Sequence, residues 1–103
     1  MEREDLPERM REVARALAAL PAEILERRYS PAAFGSWYLV FRFEGRLFRA
    51  AFDGKDPACV LERPTRARYR WEPTAWRWIG PAAGSFPVED LMAAVRREAA
   101  REA

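Results

Sequence analysis

Arg66 to Trp78 reads RARYRWEPTAWRW and holds four arginines, one tyrosine and three of the four tryptophans in the chain. Guanidinium groups offer phosphate and carboxylate oxygens a planar fork of donors, and aromatic faces stack on bases or on guanidinium planes. That pairing of residue types suits capture of a polyanion, and it also suits a half-buried hairpin. If Glu72 to Ala75 closes such a hairpin, Trp71 pairs with Trp76, Arg70 with Arg77 and Tyr69 with Trp78, and strand alternation separates the two chemistries. The aromatics then share one face, expected to complete the core. Arg66, Arg68, Arg70 and Arg77 share the other, with Arg42 and Arg49 nearby on the less apolar side of the sheet. Like charges set opposite each other repel, so this ladder calls for a counter-charge from an internal carboxylate, a nucleic acid or other polyanion, or a partner protein.

Other chemistry is harder to find. The chain contains no histidine and a single cysteine, Cys59, so it has no Ser-His or Cys-His dyad and no imidazole base, and only one soft metal ligand. Asp53 and Asp56 flank Gly54 and Lys55, which reads as a tight turn rather than a cation loop. The glycine loop between Trp78 and Ser85 lacks the phosphate-gripping lysine, and Glu89 and Asp90 oppose an anion at the helix beyond it. No cofactor, metal or catalytic residue is expected, and the chain reads as a non-enzymatic domain.

Charge and composition narrow the setting. The formal charge is +2 and the sequence pI about 9.1, mild for a nucleic-acid protein. The basic excess belongs to the middle: residues 36 to 80 carry nine basic and five acidic side chains. Arginine displaces lysine almost completely, and Asn and Gln are absent along with His, a bias that suits a GC-rich genome or a thermophile equally. A lone cysteine, no signal-type run and no apolar stretch long enough to span a bilayer make the cytoplasm the expected compartment.

These residues need elements to hold them. Asp5, Pro7 and Glu8 predict a helix start. The apolar stripe of Leu6, Met10, Val13, Leu17, Leu20 and Ile24 then runs through Pro21, which predicts a kink there or a second short helix from Pro21 to about Arg28. Trp37 to Phe43 alternates with period two, and Glu44-Gly45 is a two-residue hairpin loop. The resulting register pairs Phe43 with Arg46, Phe41 with Phe48 and Leu39 with Ala50. Closing the next turn at Gly54-Lys55 pairs Ala50 with Cys59 and Phe48 with Leu61, so one face stays apolar across three strands. Val88, Leu91, Met92, Val95 and Ala99 form the stripe of a closing helix.

The chain therefore reads as a single α+β domain over residues 1 to 103, with an amino-terminal helix kinked or broken at Pro21, an antiparallel sheet of three to five strands and a carboxy-terminal helix packed on one sheet face. Two functions fit. One is nucleic-acid or other polyanion binding through Arg66, Arg68, Arg70 and Arg77, aided by Arg42 and Arg49. The other is a protein-interaction or homodimerisation role for the outer sheet face, where Tyr38, Val40, Leu47 and Val60 supply apolar area.

Overall fold

The computed structural model describes residues 7–55, 58–64, 76–78 and 88–101. Helix α1 spans Glu8–Ala19 behind Pro7, whose carbonyl accepts from the Arg11 amide at 3.1 Å. Asp5, the expected cap, lies outside the described residues. Met10, Val13 and Leu17 are buried, as the stripe requires. The helix then stops. The Leu20 and Ala22 amides both reach back to the Leu17 carbonyl, at 3.2 and 2.7 Å, and the Leu20–Pro21 peptide is cis. Proline has no amide to donate and clashes with the turn before it, so the break at Pro21 is as expected.

The next element is a strand, β1 (Glu23–Ser30), and the expected helix over residues 21 to 28 is overturned. The apolar spacing misled for a geometric reason. Positions four apart share one side of a strand as well as of a helix, and Ile24 packs on the core beside Leu20 although it sits in extended chain. A bulge between Ile24 and Glu26 leaves Leu25 exposed on this strand.

The sheet continues through β2 (Ser36–Phe43), β3 (Arg46–Asp53), β4 (Ala58–Pro64) and β5 (Trp76–Trp78) in simple antiparallel order, β1-β2-β3-β4-β5. The β2–β3 register is the expected one, with Phe41 opposite Phe48 and Phe43 opposite Arg46. Glu44 and Gly45 both have positive φ, 52° and 78°, which the twist of a two-residue hairpin demands.

The β3–β4 register differs from expectation. Ala50 faces Leu61 and Phe52 faces Cys59, because Asp53 pairs with Ala58 and four positions, not two, separate the paired ends. The Asp53 carboxylate accepts from the Lys55 amide at 3.0 Å where the chain leaves β3, and pairing resumes only at Ala58. A shift of two positions keeps every side chain on its face, so Cys59 and Leu61 remain buried. Strand β5 is registered on β4, with Trp76 opposite Pro64 and Arg77 opposite Arg63. Its expected partner, residues 66 to 71, lies outside the described residues.

The core fills one side of this sheet. Trp37, Leu39, Phe41, Phe43, Phe48, Ala50, Cys59 and Leu61 meet Met10, Val13 and Leu17 of α1 and Leu91, Met92 and Val95 of α2 (Val88–Arg101). Phe41 and Phe48 stack with ring centroids 5.4 Å apart, and Trp37 stacks on Phe52 at 5.8 Å. Burial pushes the Cys59 thiol up to about 11, so it behaves as a small apolar residue. At the sheet margin Arg63 lies over the Phe48 ring, donates to the Leu47 carbonyl at 2.9 Å and approaches Glu98 of α2 at 3.9 Å. Among the described residues no helix is long and apolar enough to cross a membrane.

Gly54 is fixed by contact. A Cβ there would overlap the carbonyl oxygen of Phe34 in the β1–β2 loop, and the Gly54 amide donates to the Ser36 hydroxyl at 3.1 Å. Gly54→Ala is expected to destabilise the fold by about 1–3 kcal/mol, the range for forcing one carbon into packed structure. Urea denaturation measures it, and an unchanged midpoint would contradict the close approach.

Candidate interaction surface

Alternation along β1 to β4 sends a second set of side chains to the face opposite the helices. On β2 these include Tyr38, Val40 and Arg42. On β3 they are Leu47, Arg49, Ala51 and Asp53, and on β4 Val60 and Glu62. The four residues expected to supply apolar area, Tyr38, Val40, Leu47 and Val60, thus share one face, but Val40 is buried at 9% exposure and offers a partner little surface.

Arg49 organises this face. Its Nε donates to Glu62 Oε1 at 2.7 Å, and the two side chains are only 23% and 15% exposed. The guanidinium carbon lies 5.2 Å from the Tyr38 ring centroid and 4.7 Å from that of Trp76, so the cation is sandwiched between two aromatic faces. Each contact is set by register. Arg49 and Glu62 are direct cross-strand partners, and Tyr38 sits on the diagonal.

The neighbours extend the pattern. Arg42 donates to Glu23 of β1 at 3.3 Å, with both side chains largely exposed. The Tyr38 hydroxyl donates to Glu26 at 2.7 Å, and that hydrogen bond raises the phenol above its ordinary value of 10.0. Arg28, opposite Tyr38, is exposed and has no ion pair among the described residues.

Between these groups lies a groove of about 470 Å³. Ala51 lines it, in register between the larger Tyr38 on β2 and Val60 on β4. Arg28, Arg49 and Glu62 line it, and Ser30, Ser36 and Asp53 line it where the strands reach the β1–β2 loop. Among the described residues no cluster of histidine, cysteine and carboxylate side chains could hold a metal ion.

The sequence-predicted site residues separate accordingly. Arg42 and Arg49 lie on the outer face, each already beside a carboxylate. Arg66, Arg68 and Arg70 lie outside the described residues, and Arg77 is placed only by its register against Arg63. The expectation that Trp76 helps complete the core is overturned. Trp76 is opposite Pro64, which shares the alternation of Glu62, so it meets Arg49 on the side away from the helices.

The Arg49–Glu62 pair was hidden by the turn. In the expected β3–β4 register Arg49 faces Val60 and Glu62 faces Leu47, whereas the two-residue shift brings opposite charges together. Glu26 escaped notice because its segment read as helix. No known protein family, curated protein or solved structure matches the chain.

Glu62→Gln leaves the Arg49 cation between two rings without its counter-charge and is expected to cost about 1–3 kcal/mol in denaturant unfolding. Replacing both partners by methionine should recover most of that loss, and a double variant no better than the single one would contradict a desolvated pair. The Tyr38 phenol, raised by Glu26, stabilises the fold fully below the ordinary tyrosine value, and this contribution fades as pH rises through the raised one. Spectrophotometric titration should show a late-ionising tyrosine that Tyr38→Phe removes and Glu26→Gln brings back toward the ordinary range.

Proposed function

We propose that the chain is a non-enzymatic interaction module that self-associates through the outer face of its sheet. Charge balance on that face carries the reading. Arg42 and Arg49 are matched by Glu23 and Glu62, and Glu26 and Asp53 add carboxylates to the face that carries Arg28. A surface that tracks a phosphate backbone works by unmatched cations that displace counterions. Here the described part of the face is mixed in sign, and carboxylates interleaved with it would repel phosphate.

Composition supports a protein contact. Tyrosine, tryptophan and arginine are the residues most enriched at the energetic centres of interfaces, and half-buried Val60 and Leu47 add apolar area around them. A surface with both signs in alternation is suited to its own rotated copy, since a two-fold axis sets each residue of one copy against a different residue of the other.

Sedimentation equilibrium is expected to show a dimer at protein concentrations up to about 1 mM, where even weak association registers. Leu47→Asp, which places a charge on the half-buried part of the face, should shift it to monomer. Titration with single-stranded DNA and RNA should show no binding that steepens as salt is lowered. Strong binding whose salt dependence flattens on replacing Arg68 and Arg70 by alanine would overturn the reading in favour of a polyanion ligand.

A further inference from the structure

The groove on the outer face carries two charges that its own residues leave unmatched. Alternation and pairing bring Arg28 and Ser30 of β1, Ser36 of β2 and Asp53 of β3 to one end of it. Arg49 and Glu62, which also line it, neutralise each other at 2.7 Å. Arg28 and Asp53 do not. They stand on strands either side of β2, about 9–10 Å apart across the sheet, and neither makes an ion pair among the described residues.

The polar groups here keep bonding capacity in reserve. Asp53 Oδ1 accepts from the Lys55 amide at 3.0 Å, which leaves the second carboxylate oxygen open, and the Ser30 hydroxyl has no hydrogen-bond partner among the described residues. The end of the groove is nevertheless fixed in shape. The Ser36 hydroxyl donates to the Ala33 carbonyl at 2.8 Å and accepts from the Gly54 amide at 3.1 Å, so it ties the β1–β2 loop to the turn after β3. A few placed polar groups beside apolar side chains are the usual make-up of a small-molecule site, and about 470 Å³ lies within the size range of such sites.

The signs decide which kind of molecule suits it. A simple anion drawn to Arg28 would meet Asp53 and Glu62, and a simple cation drawn to Asp53 would meet Arg28 and Arg49. A neutral molecule would desolvate both free charges and return nothing to them. A zwitterion satisfies both at once: its carboxylate takes the planar donors of Arg28 with the Ser30 hydroxyl beside them, and its ammonium takes the open oxygen of Asp53. Ala51 and half-buried Val60, paired in register, offer apolar contact to the body between the two charges.

We infer that the groove binds a small zwitterion, an amino acid or short peptide with a free ammonium and a free carboxylate, held between Arg28 and Asp53. The groove opens on a single chain, so this binding stands apart from self-association. Sedimentation reports the one and ligand titration the other, and either can fail alone.

Leucine and leucyl-alanine are the probes, one for a free amino acid and one for a short peptide, with binding followed by the amide resonances of Ala51 and Val60. At least one probe is expected to give saturable shifts by about 10 mM. Acetylating its amine or amidating its carboxylate should each weaken it about fivefold, the worth of one charge contact in a groove open to water. Variants of the protein should mirror this. Arg28→Gln is expected to weaken the zwitterion and leave the amidated probe unchanged. Asp53→Asn, which keeps an acceptor for the Lys55 amide, should weaken the zwitterion and leave the acetylated probe unchanged. Both side chains are exposed, so thermal midpoints should hold in each variant. No saturable shift with either probe, or binding indifferent to the capped charges, would overturn the inference. An equal loss for capped and uncapped probes in both variants would overturn it too, by marking an indirect effect of the substitutions.

Discussion

The register of β2 on β3 is the constraint on which every other element depends. Two left-handed residues, Glu44 and Gly45, close the hairpin with no slack, and the Phe41–Phe48 stack reinforces the pairing from within the core. A slip of one position would turn Trp37, Leu39, Phe41 and Phe43 out to solvent together, so the apolar face and the turn enforce each other. Both helices need that face. Each has one buried stripe, and among the described residues the large apolar surface that receives it is the side of the sheet made by this hairpin and extended through Cys59 and Leu61.

The same alternation produces the outer face as a by-product, and there the logic changes from burial to pairing. Arg49 can be drawn partly out of water because each of its demands is met locally: a carboxylate for its charge and two rings for its planes. Lysine, a compact and strongly hydrated cation, could not satisfy the same surround, which gives one concrete use for the chain's strong preference for arginine. Arg63 plays a related part at the sheet margin, where it joins the Phe48 ring and the Leu47 carbonyl to Glu98 near the end of α2.

Much of this was legible in the sequence. The aromatic alternation of residues 37 to 43, the Glu44-Gly45 turn and the two amphipathic stripes are local signals, and each marks an element of the fold. Three features were not legible, each for a physical reason. Strand β1 was concealed because a spacing of four serves both periodicities and because a bulge at Leu25 disrupts its alternation. The Arg49–Glu62 pair depended on whether two or four positions connect β3 to β4, which the turn residues alone do not decide. Trp76 was assigned to the core by hydrophobicity, whereas its face was decided by the strand it paired with. The groove was invisible for a simpler reason: an alanine signals nothing until its neighbours across the sheet are known.

The irregularity of β1 reaches beyond its own strand. A sheet can grow without limit only along its hydrogen-bonding direction, and this one is closed to such growth on that side by a bulge and by Glu23, Glu26, Arg27 and Arg28 along the margin. Any contact between copies is thereby steered away from this strand edge, where it would propagate. An edge marked in this way offers a second copy no regular ladder to extend, which works against fibre formation.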